Sequence, residues 1–171
     1  FTKSKILPKY DLVGFVQYDK LFDTPRWYVA LENLFVFTGL FVFICIVVGL
    51  FLAILLDQKI RAEGFIRTAF LYPMALSFIV TGTAWKWILN PGLGFQKVVR
   101  ELGFPEFTFD WLVDPEMAIY TVVIAGVWQS SGFVMALFLA GLRSVNQEII
   151  KAAMVDGVGL FRIYTGIVIP T

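Results

Sequence analysis

Histidine is absent from this 171-residue chain, and cysteine occurs once, at Cys45. The first absence excludes imidazole-based acid–base chemistry and most catalytic zinc sites. The second excludes an intrachain disulfide or a cysteine cluster. Charge is also scarce. Only 16% of residues are charged, and 14 Lys and Arg stand against 13 Asp and Glu. With no basic block, the sequence gives no support for a nucleic-acid partner. It also contains no G-x-x-x-x-G-K-[ST] phosphate loop, so ATP chemistry of that type is not in this chain. What the chain has in plenty is apolar surface: 58% of residues are hydrophobic, with 18 Phe and 5 Trp. Such a composition excludes disorder. Soluble domains carry about a quarter of their residues charged, so this chain departs from them in the direction of lipid.

A bilayer core about 30 Å thick needs roughly 20 apolar residues of helix. Leu34–Leu56 has no charged residue over 23 positions, Thr68–Trp85 none over 18 and Met117–Leu142 none over 26. The pattern predicts an all-α, polytopic transmembrane bundle with spans at about 34–56, 68–90 and 117–142. Another span starts at 163. The first long apolar run follows 33 residues and is too long for the core of a signal peptide. The chain starts with Phe and stops inside an apolar run, so a fragment is expected. Residues 1–33 form a segment before the first visible span, and 34–171 the transmembrane domain. Asp57–Arg67 and the polar loop 143–162 must share one side of the membrane, with the acidic Pro91–Glu116 opposite. The distribution of Lys and Arg does not orient the chain by itself.

Polar groups within the spans narrow the functions available. Pro73 is positioned to kink the second span. Trp85-Lys86-Trp87 suits anchoring at a membrane interface. Trp128-Gln129-Ser130-Ser131-Gly132 lies near the middle of the third span. Gln and Ser in hydrocarbon face protein or a water-filled cavity. They can serve as interhelical glue or line the path of a hydrophilic substrate, with Trp128 as a stacking surface for a sugar. Both possibilities stay open. No span holds a central carboxylate or cationic pair, which argues against a proton relay or voltage sensor.

The loop after the third span is the most specific feature. Ser144-Val145-Asn146-Gln147 fits a capping box. A short helix through Ile149, Ala152 and Ala153 is then expected, with Gly157 as its terminating glycine. Pro170 breaks the hydrogen bonding of the stretch that follows.

Lys151-Ala152-Ala153-Met154-Val155-Asp156-Gly157, followed by Tyr164, Ile167, Ile169 and Pro170, resembles the EAA loop of bacterial ABC importer permeases. The family pattern is E-A-A-x-x-D-G-A, then F, I, L and P. Lys151 stands where the family has Glu, and Glu148, one turn earlier, is the candidate substitute. The likeness extends along the chain. Gly14–Tyr18, Trp27–Asn33, Phe70-Leu71-Tyr72-Pro73, Trp85–Gly94 and Leu139–Arg143 resemble the carbohydrate-uptake subfamily. Trp128–Phe133 is similar to permeases for glucose, mannose or α-glucosides.

The resemblance implies a multi-pass subunit of the bacterial inner membrane, a fragment of a six-helix permease. Loops 57–67 and 143–162 would be cytoplasmic, and 1–33 and 91–116 external. Its partners would be a second permease subunit, two ATPase subunits, an extracytoplasmic sugar-binding protein and membrane lipid. No cofactor would bind this chain, and ATP-Mg would lie on the ATPase subunits. Transport would proceed by alternating access. Glu148, Lys151, Ala152, Ala153, Asp156, Gly157 and Pro170 would form the coupling site, and Trp128, Gln129, Ser130 and Ser131 the candidate pathway. Such a chain would not be an enzyme. Two competing readings are weaker. A membrane-embedded enzyme would need paired catalytic groups at membrane depth, and none is visible. A structural or assembly subunit would keep the helices without requiring the loop for uptake.

Overall fold

The computed structural model describes residues 14–58 and 61–168. Within them the chain is helical: α1 (Val16–Phe22), α2 (Pro25–Asp57), α3 (Glu63–Leu71), a 3-10 turn (Tyr72–Ala75), α4 (Phe78–Ile88), α5 (Phe95–Glu101), α6 (Ala118–Ser144), α7 (Gln147–Val155), α8 (Leu160–Ile163) and a π-helical stretch (Tyr164–Val168). Contacts divide the chain into two units, Phe1–Gly39 and Leu40–Thr171. The first holds α1 and the opening turns of α2, where Phe22 and Trp27 meet edge to face at 6.1 Å. Pro25 opens α2, at the position where a missing N–H is tolerated and a preset φ helps.

Two helices among the described residues, α2 and α6, are long and apolar enough to cross a membrane. At 1.5 Å per residue, 33 and 27 residues give lengths of about 50 and 40 Å. The second expected span has a different structure from the one its composition suggests. Thr68–Trp85 is not one helix: α3 with its 3-10 turn meets α4 at a bend of 103°. The pair counts as a third span only if the two arms are taken together. The reason is local. Pro73 has no N–H to give to the preceding turn. Leu76 and Ser77 then leave the helix for extended backbone, at ψ 144° and 149°. Ser77 restarts it, its Oγ accepting from Val80 N at 3.3 Å. The expected span from 163 is described only as α8 and the π-helical stretch, and Pro170 lies outside the described residues.

In the second unit, α6 is the helix on which the others close. Gly49 of α2 faces Val134, whose Cγ1 would lie 2.6 Å from an added Cβ. Gly132 faces the end of α3 more closely still, and an added Cβ would overlap the Phe70 carbonyl oxygen. Small residues of this kind let helices approach in lipid, where packing rather than water drives association. The core lies at one end of α2 and α6: Ala53, Leu56, Met135, Leu139, Leu142, Ala153 and Ile163 are buried together.

The segment after α4 has its own order. Asn90 Oδ1 accepts from the N–H groups of Gly92 and Leu93 at 2.9 and 3.1 Å. Buried Gln96 accepts from Phe109 N at 2.6 Å. Phe95 packs edge-on against Phe107 and Phe109, and Phe109 stacks on Trp111 at 4.7 Å.

Gly132→Val is expected to lower unfolding stability in bicelles by about 2–3 kcal/mol through overpacking. Gly141→Ala, where an added Cβ meets nothing within 4 Å, is expected to be neutral. Equal stability of the two variants would contradict the close approach of α6 to Phe70.

Candidate functional site

Two regions carry the residues singled out from the sequence. The first is the break between α3 and α4 and the part of α6 that faces it. A backbone that leaves helical geometry at membrane depth exposes carbonyls with no helical partner, and these need replacements. Gln129 supplies one: its Nε2 donates to Leu76 O at 2.9 Å. Gln129, Ser131 and Gly132 are buried, whereas Ser130 is half-buried and Trp128 is exposed. Trp128 meets Trp85 edge to face at 5.8 Å. That contact gives Trp85 a packing role beyond the interface anchoring expected of it, while Trp87 remains exposed. The candidate pathway residues therefore divide. Gln129 and Ser130 line a pocket of ≈ 300 Å³ with Met74, Leu76, Phe78 and Phe133. Trp128 and Ser131 line a smaller one of ≈ 150 Å³ against Ala69, Phe70 and Pro73. A third, of ≈ 450 Å³, lies between α4 and the start of α6 and is lined in part by Trp85, Lys86, Asn90 and Thr121.

The second region is α7 and its surroundings. The capping differs from the expected Ser144–Gln147 box. Ser144 is the last residue of α6, and its Oγ donates back to Gly141 O at 2.7 Å. The cap is Asn146, whose Oδ1 accepts from Glu148 N at 2.9 Å. Glu148 stands in the first turn, where the helix dipole favours an acid. At the other end Gly157 adopts φ +76° and turns the chain, as expected.

The two alanines of the motif differ in their surroundings. Ala153 is buried in the core beside Leu56, Leu142 and Ile163, and Ile150 packs on the same cluster. Ala152, Lys151, Glu148, Asp156 and Gly157 are exposed. So are three large apolar side chains, Ile149, Met154 and Val155, the last at 87%. The sequence marks these three only as helix or motif positions and not as contact residues; apolar side chains beyond the Ile150 and Ala153 stripe of α7 were the available signal. A charged cluster was also not foreseen. Arg143 Nη2 lies 2.8 Å from Glu63 Oε1, and Arg143 Nε 3.7 Å from Asp57 Oδ1. Tyr164 donates its hydroxyl hydrogen to Asp57 Oδ2 at 2.6 Å.

The fold and these two regions define a membrane-inserted helical protein with an ordered amphipathic helix outside its spans. Residues 45–171 match the family of binding-protein-dependent transport system inner membrane components, and the chain belongs to that family. Membership makes it a membrane transport component and not an enzyme. It is 41% identical to a protein of Pyrococcus horikoshii described as a probable ABC transporter permease, over 96% of this chain and 57% of that one. It is 40% identical to the xylose/arabinose import permease XacH of Haloferax volcanii, over 95% of this chain and 51% of that one. The chain thus spans about half the length of the curated relatives it matches. Its fold superposes with TM-score 0.85 on a bacterial ABC transporter that imports alginate, at 21% identity over 95% of this chain and 57% of that one.

Gln129→Leu leaves the Leu76 carbonyl without its donor and is expected to destabilise the folded permease by about 1–3 kcal/mol. Ser130→Ala is expected to stay within about 0.5 kcal/mol of the parent. Steric-trapping measurements in bicelles would test both, and a neutral Gln129→Leu would remove the amide from the account of the break.

Proposed function

We propose that the chain is part of a multi-pass permease subunit of an ATP-driven importer for a sugar-like solute, and that α7 couples it to an ATPase subunit. The observation that carries this reading is the two-sided character of α7. Its inner face, Ile150 and Ala153, is fastened to the core formed by the ends of α2 and α6. Its far side carries Val155 and Ala152 between Glu148 and Lys151, and Ile149 and Met154 are open on the two flanks. A nine-residue helix held by one face, with small Ala152 and apolar Val155 on its far side and Ile149 and Met154 open at its flanks, is built to press against a second protein. The likeness of the loop to the EAA motif supports the ATPase as that protein.

In the full subunit six helices would enclose the pathway with a second permease subunit, and a binding protein would deliver solute from outside. Loop 143–162 would face the cytoplasm. ATP-Mg would act on the ATPase subunits, and closure of that pair would move α7 and switch the pathway between its two faces. Ala152, Met154, Val155, Asp156 and Gly157 are the contacts we assign to the ATPase, with Glu148 and Lys151 at the edge. Ala153 holds α7 to the membrane part. Ser130 and Trp128 are the better candidates for solute contact, because Gln129 already has a backbone partner. The sugar class rests on relatives such as the xylose/arabinose permease, and choosing glucose or mannose is not warranted. Relatives from Pyrococcus and Haloferax mean the likeness is not confined to bacteria.

The test is solute-stimulated ATPase activity of the complete reconstituted transporter, with its binding protein, across xylose, arabinose, maltose, trehalose and glycerol 3-phosphate. Stimulation by a sugar is expected, and stimulation by glycerol 3-phosphate alone would discard the sugar assignment. Val155→Asp and Gly157→Val are each expected to lower stimulated activity at least tenfold while membrane insertion persists. The first places a charge in an apolar contact, and the second forces a β-branched residue to positive φ. Activity retained in both variants would sink the coupling role of α7.

A further inference from the structure

We propose that Arg143 is the positioning residue that makes α7 and the membrane helices move as one body. The proposal rests on α7 docking against an ATPase subunit, as argued above.

Arg143 ends α6. One guanidinium nitrogen, Nη2, reaches both Glu63 Oε1 at 2.8 Å and Leu56 O at 3.1 Å. Nε faces Asp57 Oδ1 at 3.7 Å, and the other oxygen of that carboxylate accepts the Tyr164 hydroxyl at 2.6 Å. One side chain thus joins the last residues of α2, the first turn of α3 and the last turn of α6. Through Asp57 it also reaches the stretch that follows α8.

The electrostatics explain why an arginine stands there. Leu56 O is among the last carbonyls of α2, which have no partner within the helix. A cation at the end of α6 and an acid at the start of α3 both suit their helix dipoles. Asp57 does not, since it is an acid at the negative end of α2. Arg143 and Tyr164 offset that placement. The fork geometry of guanidinium serves two acceptors at once, which a lysine ammonium does less well.

Part-exposed ion pairs contribute little to stability, so a stability role alone does not explain three linked groups. Their neighbours do. Leu56, Leu142 and Ile163, adjacent in sequence to Asp57, Arg143 and Tyr164, form the buried layer on which Ala153 of α7 rests. Apolar contact is non-directional and lets packed helices slide. Charge-assisted hydrogen bonds are directional and fix register. Together the layer transmits pressure from α7, and the Arg143 ties prevent α2, α3 and α6 from slipping past one another.

The experiment uses the complete transporter in lipid, in a Cys45→Ala background, with spin labels at Lys151 on α7 and Leu137 on α6. Distances are read without nucleotide and after trapping with ADP and vanadate, so no transported solute is needed. In the parent the distance is expected to be the same in both states. In Arg143→Gln it is expected to shift or broaden on trapping while the melting temperature is kept, with partial recovery in Arg143→Lys. Parent-like distances in Arg143→Gln in both states would overturn the proposal. Should Arg143→Gln not assemble, Glu63→Gln decides on the same two outcomes. If a photocrosslinker placed at Lys151 in the otherwise parental transporter captures no ATPase subunit, the docking reading itself fails and the proposal falls with it, a result distinct from parent-like distances in a docked complex.

Discussion

Everything in this fold follows from one constraint: inside lipid, a backbone carbonyl or N–H that leaves a helix must find its partner within the protein. α2 and α6 meet it by staying helical throughout. The segment around Pro73 cannot. Its 103° bend would be untenable against lipid alone, and α6 makes it tenable at two positions one turn apart. Gly132 has no side chain, so the end of α3 comes close. Gln129 turns its amide to the Leu76 carbonyl. Glycine there without the amide would leave a bare carbonyl, and the amide without glycine would not reach it. The polar run of the third span is thus first a device for housing a broken helix, and only its remaining members are free for other work.

The opposite requirement holds where α2 and α6 end. There water is near and charge is permitted, yet the charges are concentrated on one point. Asp57, Glu63 and Arg143 gather over a buried apolar layer that α7 shares. The arrangement separates two tasks. The apolar layer holds α7 to the rest of the unit, and the polar ties set how the ends of α2, α3 and α6 stand to one another.

Much of this was legible in the sequence, and for a physical reason. Runs without charge are a bulk property, so α2 and α6 could be read from composition alone. Positive φ at Gly157 is a local property, and it too was legible, because the turn after α7 needs it. The EAA-like spacing located α7 by likeness. What escaped were properties of pairs distant in the chain. Pro73 announced a kink, but the size of the bend depends on α6 being there to receive it. Ser144 looked like a cap because nothing local says that it is still the last residue of α6, and Asn146 offers an equally good oxygen two residues on. Arg143 and Tyr164 were visible only as members of motifs, since their partners lie 87 and 107 residues away. The different fates of Ala152 and Ala153 depend on which side of α7 meets the core.

The two special regions lie on the same helix. Gln129 and Arg143 stand about 20 Å apart along α6 at 1.5 Å per residue, with no Pro between them and Gly132 and Gly141 as the only glycines. An α-helix resists bending except at such breaks, so movement of one end of α6 is delivered to the other. At the break the ladder is interrupted, and Leu76 O relies on a single side-chain donor, Gln129, rather than on a helical N–H. One helix thus joins a charged clamp at one end to the housing of a broken helix at the other. Ser130 and Trp128 line pockets beside the break, so the polar run that houses the broken helix also borders open space.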